Sequence, residues 1–251
     1  MFDLGGRVAV VTGGNGGIGL GVARGLAQAG AAVAVWARDA AKNEAAVKEL
    51  EGLGVRALAL PCDVAEEVQL ARAVTETVAA LGRIDICVAN AGFGLVKPTL
   101  ELSLDEWRQV TRVDLDGVFL TFREVAKHMV ARGGGGKLIA ISSIGEIFGM
   151  ARQVPYAASK GALGSMVRSL AVELARHDIQ VNGVQPGWIV TDATKPLLDW
   201  QAMNDTIVHR TPARRWGKPE DLAGACVYLA SDAARFHTGD TLRVDGGYSV
   251  F

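Results

Sequence analysis

A short apolar run followed at once by a cluster of glycines constrains the fold of this chain more than any other feature. Arg7–Thr12 is a continuous run rich in β-branched residues, which is typical of a strand buried on both faces. Thr12–Gly19 then reads TGGNGGIG, and Gly17–Ala29 is predicted to form a helix that Gly30 closes. The N–H groups at the start of such a helix are free to bind an anion. The segment therefore predicts a site for the phosphates of a dinucleotide.

Three glycines of this loop each have a separate expected use. Gly13 would let the chain turn sharply off the strand, and Gly17 would omit a side chain where a pyrophosphate approaches the backbone. Gly19 would let the helix pack closely on the sheet. A purely structural turn is the alternative, but the position between a first strand and a first helix favours the dinucleotide site.

Short apolar runs alternate with longer amphipathic segments along the rest of the chain. Such repeated strand–helix–strand units predict an α/β fold, a Rossmann-type doubly wound parallel sheet of about seven strands flanked by helices. The predicted strands are Arg7–Thr12, Ala32–Ala37, Val55–Leu60, Ile84–Ala89, Lys137–Ser142, Ile179–Gln185 and Thr241–Val244. The predicted helices are Gly17–Ala29, Ala40–Gly52, Ala65–Leu81, Ser103–Arg132 (with a Ser103/Glu106 capping box), Pro155–His177 and Pro219–Ala230.

One segment departs from this alternation. Residues Trp188–Trp216 contain Pro196 and Pro212 and have no clear periodicity. A stretch of this length in a compact domain is usually a functional loop, so we predict a substrate lid at about 188–216. No change of composition marks a second domain, and residues 1–251 are expected to form a single nucleotide-binding domain.

The composition argues against several classes of protein. Of 251 residues, 49% are hydrophobic and 21% are charged, and the net charge is −1, so we expect neither disorder nor binding to nucleic acid or membranes. The three cysteines are widely spaced and the four histidines are scattered, which predicts free thiols and no metal site. Without a signal-peptide pattern or an apolar run of about 18 residues, a soluble cytoplasmic protein is expected.

Two serines, a tyrosine and a lysine suggest the chemistry. Ser142 and Ser143 end the fifth predicted strand, at the sheet edge where ligands of α/β proteins bind. Tyr156 and Lys160 lie four residues apart and therefore share a helix face. Hydride removal from an alcohol carbon also requires removal of the hydroxyl proton, and a tyrosine beside an ammonium group is a usable general base. A solvated surface pair is the alternative reading of the tyrosine and lysine.

The loop Thr12–Gly19 matches the T-G-x-x-x-G-I-G cofactor loop of the short-chain dehydrogenase/reductase family, which the chain resembles over nearly its whole length. Asp63-Val64, Asn90-Ala91-Gly92 and Pro186–Thr191 are similar to further family motifs, in the family's order. The resemblance implies an NAD(P)-dependent oxidoreductase that transfers hydride between a nicotinamide and a secondary alcohol or ketone. The cofactor-binding residues that it implies are Gly13, Asn15, Gly16, Gly17, Ile18, Gly19, Arg38, Asp63, Val64, Asn90, Ala91, Gly92, Tyr156, Lys160, Pro186, Gly187, Ile189 and Thr191.

The resemblance also assigns catalytic roles. Tyr156 would be the general acid/base, and Lys160 would stabilise its phenolate and bind the nicotinamide ribose. Ser143 would donate a hydrogen bond to the substrate oxygen, and Ser142 would be structural. The fourth catalytic position is an asparagine in many relatives but is Asp114 here. This carboxylate either raises the pKa of Lys160 or becomes protonated itself. We expect activity to be retained with a shifted pH optimum.

The choice between the two nicotinamides depends on the end of the second strand. An acidic residue there would bind the ribose 2′-OH of NAD and repel the 2′-phosphate of NADP. The chain has Ala37 and then Arg38, which favours NADP over NAD by about two to one. Asp39, which would favour NAD if it turned inward, and Gly16, where many NADP enzymes carry a basic residue, argue the other way.

The substrate is less constrained by the sequence. The candidate pocket residues are Ile144, Gly145, Glu146, Gln153, Trp188, Asp192 and Trp200, of which Glu146 and Gln153 favour a polar, hydroxylated substrate. The chain resembles the branch that holds gluconate dehydrogenases, 3-oxoacyl-carrier-protein reductases and glucose 1-dehydrogenases, and the resemblance implies a homotetramer. A non-catalytic, regulatory dinucleotide-binding protein is the main alternative, and an NAD-dependent isomerase is a third.

Overall fold

The computed structural model describes residues 1–251 and contains one seven-stranded parallel sheet in the order β3-β2-β1-β4-β5-β6-β7. The predicted fold class is confirmed. Each strand begins and ends within two residues of its predicted bounds. The strands are β1 Val8–Thr12, β2 Ala32–Trp36, β3 Ala57–Leu60, β4 Ile86–Ala89, β5 Gly136–Ile141, β6 Ile179–Pro186 and β7 Thr241–Val244.

Helices cover both faces of the sheet. They are α1 Gly17–Gln28, α2 Ala40–Glu51, α3 Glu67–Leu81, α4 Leu104–Thr111, α5 Gly117–Arg132, α6 Val154–Leu174, α7 Lys195–Asp199, α8 Gln201–Arg210 and α9 Ala223–Ala230. Two apolar cores result, one on each side of the sheet. Leu70, Phe122 and Leu163 lie in one core, and Leu26, Leu50 and Leu229 lie in the other. No helix combines the length and the apolar character needed to cross a membrane.

The prediction of one continuous α-helix over Ser103–Arg132 is wrong, because the α-helix is interrupted in its middle. Its start is as predicted, because the Ser103 side chain accepts the Glu106 N–H and Glu106 accepts the Ser103 N–H. The residues between α4 and α5 form a π-helical turn, Arg112–Asp116. A π-helical turn adds a residue to one turn without changing the polarity of the sequence, so periodicity cannot reveal it. The turn contains the buried Asp114.

Two other regions contain structure that the periodicity did not predict. Segment 188–216 includes the short helices α7 and α8. The helix predicted at Pro219–Ala230 begins as a 3-10 turn over Pro219–Leu222 and becomes α-helical only at Ala223.

Candidate active site

The carboxyl ends of the strands open into one cavity of about 960 Å³. The adjacent strands β1 and β4 form the switch point of the sheet, because the chain continues from β1 to β2 on one side and from β4 to β5 on the other. Nucleotides bind at such switch points in open parallel sheets. All the residues predicted to bind the cofactor line this cavity, except Gly19. The lining includes Gly13, Asn15, Gly16, Gly17, Ile18, Arg38, Asp63, Val64, Asn90, Ala91, Gly92, Tyr156, Lys160, Pro186, Gly187, Ile189 and Thr191.

The glycine-rich loop has the geometry that a phosphate site needs. Gly13 and Gly17 have left-handed φ angles of 63° and 50°, which other residues rarely adopt. Helix α1 begins at Gly17 with no side-chain cap and no acidic residue in its first turn, so its N–H groups and positive dipole end face the cavity unmatched. The loop therefore fits the pyrophosphate of a dinucleotide.

Gly19 has a packing role instead of a place in the cavity lining. A Cβ atom at Gly19 would collide with the backbone of Gly13 and would lie 2.5 Å from Nδ2 of Asn90. Asn90 Nδ2 donates to the Thr12 carbonyl at 3.0 Å, and Thr12 Oγ1 accepts the N–H groups of Asn90 and Ala91 at 2.9 and 3.0 Å. The start of the N-A-G motif therefore fixes the end of β4 to the glycine loop.

The end of β2 places the Asp39 carboxylate at the cavity, with one of its two oxygens engaged by the backbone. The Asp39 side chain caps α2 by accepting the Lys42 N–H at 3.0 Å. Asn15 reaches the same region, where its Nδ2 donates to Asn43 Oδ1 at 2.8 Å. Arg38 and Lys42 both line the cavity, so two cations lie at this end. Lys42 had not been predicted, because it follows the strand by a full helical turn.

The tyrosine and the lysine lie together as the spacing on α6 predicted. Lys160 Nζ lies 5.6 Å from the centre of the Tyr156 ring and donates to the Ile141 carbonyl at 3.1 Å. Ser143 faces the same space. A Cβ atom placed on Gly145 would lie 3.4 Å from Ser143 Oγ and 3.6 Å from Tyr156 Cε1, so both side chains border the same glycine. A hydroxyl, a phenol and an ammonium group therefore meet above the end of β5.

The two serines have different partners. Ser142 Oγ lies 2.6 Å from Glu146 Oε2, to which it donates, and 3.3 Å from the Lys160 carbonyl. Ser143 Oγ accepts the Gly145 N–H at 3.0 Å, which leaves its proton free for a ligand. The geometry therefore supports a substrate contact for Ser143 and a structural part for Ser142.

Asp114 lies behind Lys160 and is fully buried. Its Oδ1 accepts the Phe93 N–H at 2.8 Å, while Oδ2 has no hydrogen-bond partner and lies 3.6 Å from Lys160 Nζ. Burial raises the pKa of this carboxyl above its ordinary value, against the opposing effect of the Lys160 ammonium. Asp114 therefore contacts the lysine without lining the cavity.

The opposite wall is formed by the turn after β6. Ile189 and Thr191 line the cavity there, and Thr194 fixes their backbone by accepting the Thr191 N–H at 2.9 Å and donating to the Ile189 carbonyl at 2.7 Å. A Cβ atom on Gly17 would lie 3.3 Å from Thr191 Cγ2, so the glycine loop and this turn almost touch across the cavity.

Segment 188–216 begins and ends at a short two-stranded contact. Ile189 pairs with Gly217 as an isolated parallel bridge, and the rings of Trp188 and Trp216 meet edge to face at 5.7 Å. Trp216 Nε1 also donates to Asn204 Oδ1 on α8 at 2.7 Å. The far side of the segment reaches α2, where Asp192 Oδ2 lies 3.5 Å from Lys42 Nζ.

The predicted substrate pocket is only partly correct. Ile144, Gln153 and Trp188 line the cavity, but Gly145, Glu146, Asp192 and Trp200 do not. The Glu146 carboxylate turns towards Ser142 and Gly164, and Asp192 and Trp200 are largely exposed. The direction in which a side chain points cannot be read from its distance in sequence from Ser143 and Tyr156. The lining residues that were missed at this end are Phe93, Gly94, Val96, Met150, Ala193, Thr194 and Leu197.

Comparison with known proteins agrees with this architecture. Residues 13–249 match the family model described as Enoyl-(Acyl carrier protein) reductase. The chain is 41% identical to 5-keto-D-gluconate 5-reductase of Escherichia coli K12, over 100% of this chain and 98% of the relative. It is 39% identical to 2-dehydro-3-deoxy-D-gluconate 5-dehydrogenase of Formosa agariphila, over 98% of this chain and 94% of the relative.

A solved structure is similar over the whole length. The gluconate 5-dehydrogenase of Burkholderia cenocepacia, crystallised with NADP and tartrate, has a TM-score of 0.95 and 42% identity, and the match covers 100% of this chain and 98% of that one. The fold of this chain therefore occurs in a protein that has been crystallised with NADP.

Proposed function

Since this chain belongs to the short-chain dehydrogenase/reductase family and is an NAD(P)-dependent oxidoreductase of secondary alcohols and ketones, we propose that Tyr156, Lys160 and Ser143 are its catalytic residues. The observation that carries the proposal is the meeting of these three side chains at one end of the cavity, beside a glycine loop suited to phosphates. A protein that only binds a dinucleotide has no need for this arrangement.

The residues divide the chemistry between them. A bound nicotinamide supplies or accepts the hydride. In ketone reduction, Tyr156 donates its phenolic proton to the carbonyl oxygen, and Ser143 donates a hydrogen bond to the same oxygen, so that the developing negative charge is stabilised. Lys160 stabilises the resulting phenolate through its positive charge. In alcohol oxidation the same groups act in reverse, and Tyr156 accepts the hydroxyl proton.

NADP is the cofactor that the charges near β2 favour. Arg38 and Lys42 provide two cations for a 2′-phosphate, against the single carboxylate of Asp39, one oxygen of which caps α2. Gluconate 5-dehydrogenase of Burkholderia cenocepacia binds NADP, which is consistent with this choice. We expect Arg38→Glu to raise the KM for NADPH at least about tenfold and to affect the KM for NADH much less.

Three further properties are proposed with the function. Segment 188–216 acts as a lid over substrate and nicotinamide, because it supplies one wall of the cavity and its two helices contribute few buried residues. A homotetramer would cover exposed apolar side chains such as Phe119, Val172 and Phe251.

A cytoplasmic location stays a prediction from the sequence. Sugar acids, which give several relatives their names, are one candidate substrate class.

The test is a comparison of two tyrosine variants. We expect Tyr156→Phe to lose activity by about 100-fold or more while still binding NADPH, because the proton donor is gone and the cavity is unchanged. Tyr248→Phe is the matched control: Tyr248 does not line the cavity, its ring keeps its contacts with Phe148 and Trp188 in the variant, and near-normal activity is expected. A wild-type protein that binds NADPH but reduces no ketone would favour the regulatory alternative instead.

A further inference from the structure

The end of the cavity around Tyr156 is mostly apolar. Gly94 and Gly145 approach the Tyr156 ring, and the Met150 sulfur lies over Gly145. Val96 stands at the rim, 62% exposed. Apolar side chains supply most of the remaining surface at this end; they are Phe93, Ile144, Trp188 and Leu197. A ligand whose reacting group reaches Tyr156 therefore packs the rest of its structure against hydrophobic side chains.

This end of the cavity has no positive charge that is free to bind an anion. The cations in the lining are Arg38, Lys42 and Lys160. Arg38 and Lys42 follow β2, which is three strand spacings, about 14 Å, from β5 and Ser143. Lys160 is already engaged by the Ile141 carbonyl. It also lies beside Asp114, and an ionised pair of this kind carries no net charge.

Three basic side chains lie close in sequence to this end, Lys97, Arg152 and Arg210, and none of them lines the cavity; Arg152 is exposed to solvent. Lys97 Nζ is held by both carboxylate oxygens of Glu106, at 2.6 and 2.9 Å. The Arg210 guanidinium stacks on the rings of Phe148 and Tyr248, at 5.0 and 4.4 Å from their centres. Neither cation lines the cavity. A carboxylate that enters the catalytic end would lose water and find no free cation among the lining residues there, which is costly.

One uncharged polar side chain faces this space. Gln153 lines the cavity, and its Oε1 lies 3.1 Å from the position of a Cβ atom on Gly94, close to the Tyr156 ring. A glutamine amide offers two N–H donors and one acceptor without charge. It suits a hydroxyl or a second carbonyl of a neutral substrate, and it cannot neutralise a carboxylate.

We infer that the preferred substrate is a neutral ketone with an apolar ring or chain and a second oxygen that Gln153 binds, rather than a sugar acid. This inference rests on the proposed function and specifies the substrate class of the same site. Gln153 is then a residue that determines specificity. The apolar wall formed by Phe93, Met150 and Leu197 provides the binding energy through removal of apolar surface from water.

The first test compares substrates that differ in charge. Reduction by NADPH is measured for a cyclohexanedione, for an oxocyclohexane carboxylate with the same ring, and for 5-keto-D-gluconate. We expect kcat/KM for the dione to exceed both acids by about tenfold or more. A preference for either acid would overturn the inference and leave the proposed function intact. Failure to reduce all three, with NADPH still bound, would overturn the proposed function and the inference together.

The second test adds the missing charge at the rim. Val96→Arg places a guanidinium at an exposed position, and Val96→Gln adds a long polar side chain without charge as the matched control. The arginine variant is expected to narrow the dione-to-acid ratio of kcat/KM by about tenfold, and the glutamine variant to leave it unchanged. The argument from charge would be contradicted if both variants changed the dione-to-acid ratio equally, or if neither variant changed it. Melting temperature and NADPH affinity show that both variants are folded.

A third variant tests the role of Gln153. Gln153→Leu removes the amide and keeps a side chain of similar volume at the cavity wall. The KM for the dione should rise about fivefold or more with kcat nearly unchanged, while the KM for plain cyclohexanone should not rise. A purely structural Gln153 would instead affect both ketones alike, and that result would remove it as a specificity residue.

Discussion

At the scale of single residues, Asp114 is the feature that sets this chain apart from the family pattern. Its carboxylate accepts the Phe93 N–H and lies beside Lys160, within a π-helical turn that buries it completely. An asparagine at this position would make the same hydrogen bond from Phe93 without charge. The aspartate therefore adds a negative charge next to the ammonium group that acts on Tyr156, and its raised pKa reflects the unfavourable burial of that charge.

The pH dependence of activity tests this charge. Above the raised pKa of Asp114 the carboxylate opposes the field of Lys160, whereas Asp114→Asn lets that field stabilise the Tyr156 phenolate fully. The limb of the kcat/KM profile that reports proton transfer should therefore move to lower pH by about one unit, with maximal activity retained. Asp116→Asn, at an exposed position of the same turn, is the control and should not move the limb. An unchanged profile in Asp114→Asn would contradict the idea.

At the scale of elements, segment 188–216, the proposed lid, is held by a small number of local contacts. Its two ends are joined by the Ile189–Gly217 bridge and by the edge-to-face contact of Trp188 with Trp216. Trp216 connects this closed end to α8 through Asn204. The helices between the ends contribute few buried residues, as expected for a segment that opens to admit ligands.

A tryptophan variant tests the role of this closed end. Trp216→Phe keeps an aromatic ring against Trp188 but leaves Asn204 Oδ1 without its donor, which costs about 1–2 kcal/mol locally. We expect the lid to open more often, so that KM for substrate rises severalfold and proteolysis within 188–216 becomes faster. Trp200→Phe is the control, because Trp200 is in the same segment, 58% exposed and outside the cavity lining. Equal proteolysis of both variants would count against a lid closed through Trp216.

At the scale of the whole molecule, stability rests on two apolar cores separated by the sheet, and one buried charge works against it. Lys137 begins the buried part of β5, is 5% exposed, and its Nζ has no hydrogen-bond partner. Burial lowers the pKa of this lysine to about 8. The positive charge of the neighbouring Arg7 contributes to this lowering. The folded protein therefore binds a proton at Lys137 less readily than the unfolded chain does.

Stability as a function of pH tests this cost. Because the pKa is about 8 when folded and about 10.4 when unfolded, the unfolded chain holds more protons across that window, and stability should rise with pH through it. Below pH 8 the full penalty applies. Lys137→Met should therefore raise the free energy of unfolding at pH 7 by about 2 kcal/mol, measured by urea titration, and by less at high pH. Lys48→Met, on the exposed face of α2, should change little at either pH.

Much of the fold and part of the site could be predicted from the sequence. The strands have continuous apolar runs because both faces of a parallel sheet are covered, and the glycine loop follows from steric needs that other residues cannot meet. The pairing of Tyr156 with Lys160 follows from helical periodicity. The wrong assignments, Glu146 and Asp192 in the pocket, concern side-chain direction in irregular segments, where no period relates sequence to position.

What the sequence by itself determined is the doubly wound sheet, the glycine loop and the pairing of Tyr156 with Lys160, because each depends on local geometry or on a repeated pattern. Only the tertiary structure decided which side chains line the cavity near Tyr156. Phe93, Met150 and Leu197 come from three separate loops that meet only when the strands are ordered in the sheet. Charge at that end likewise depends on which distant partners engage Lys97 and Lys160, and such pairings form only on folding.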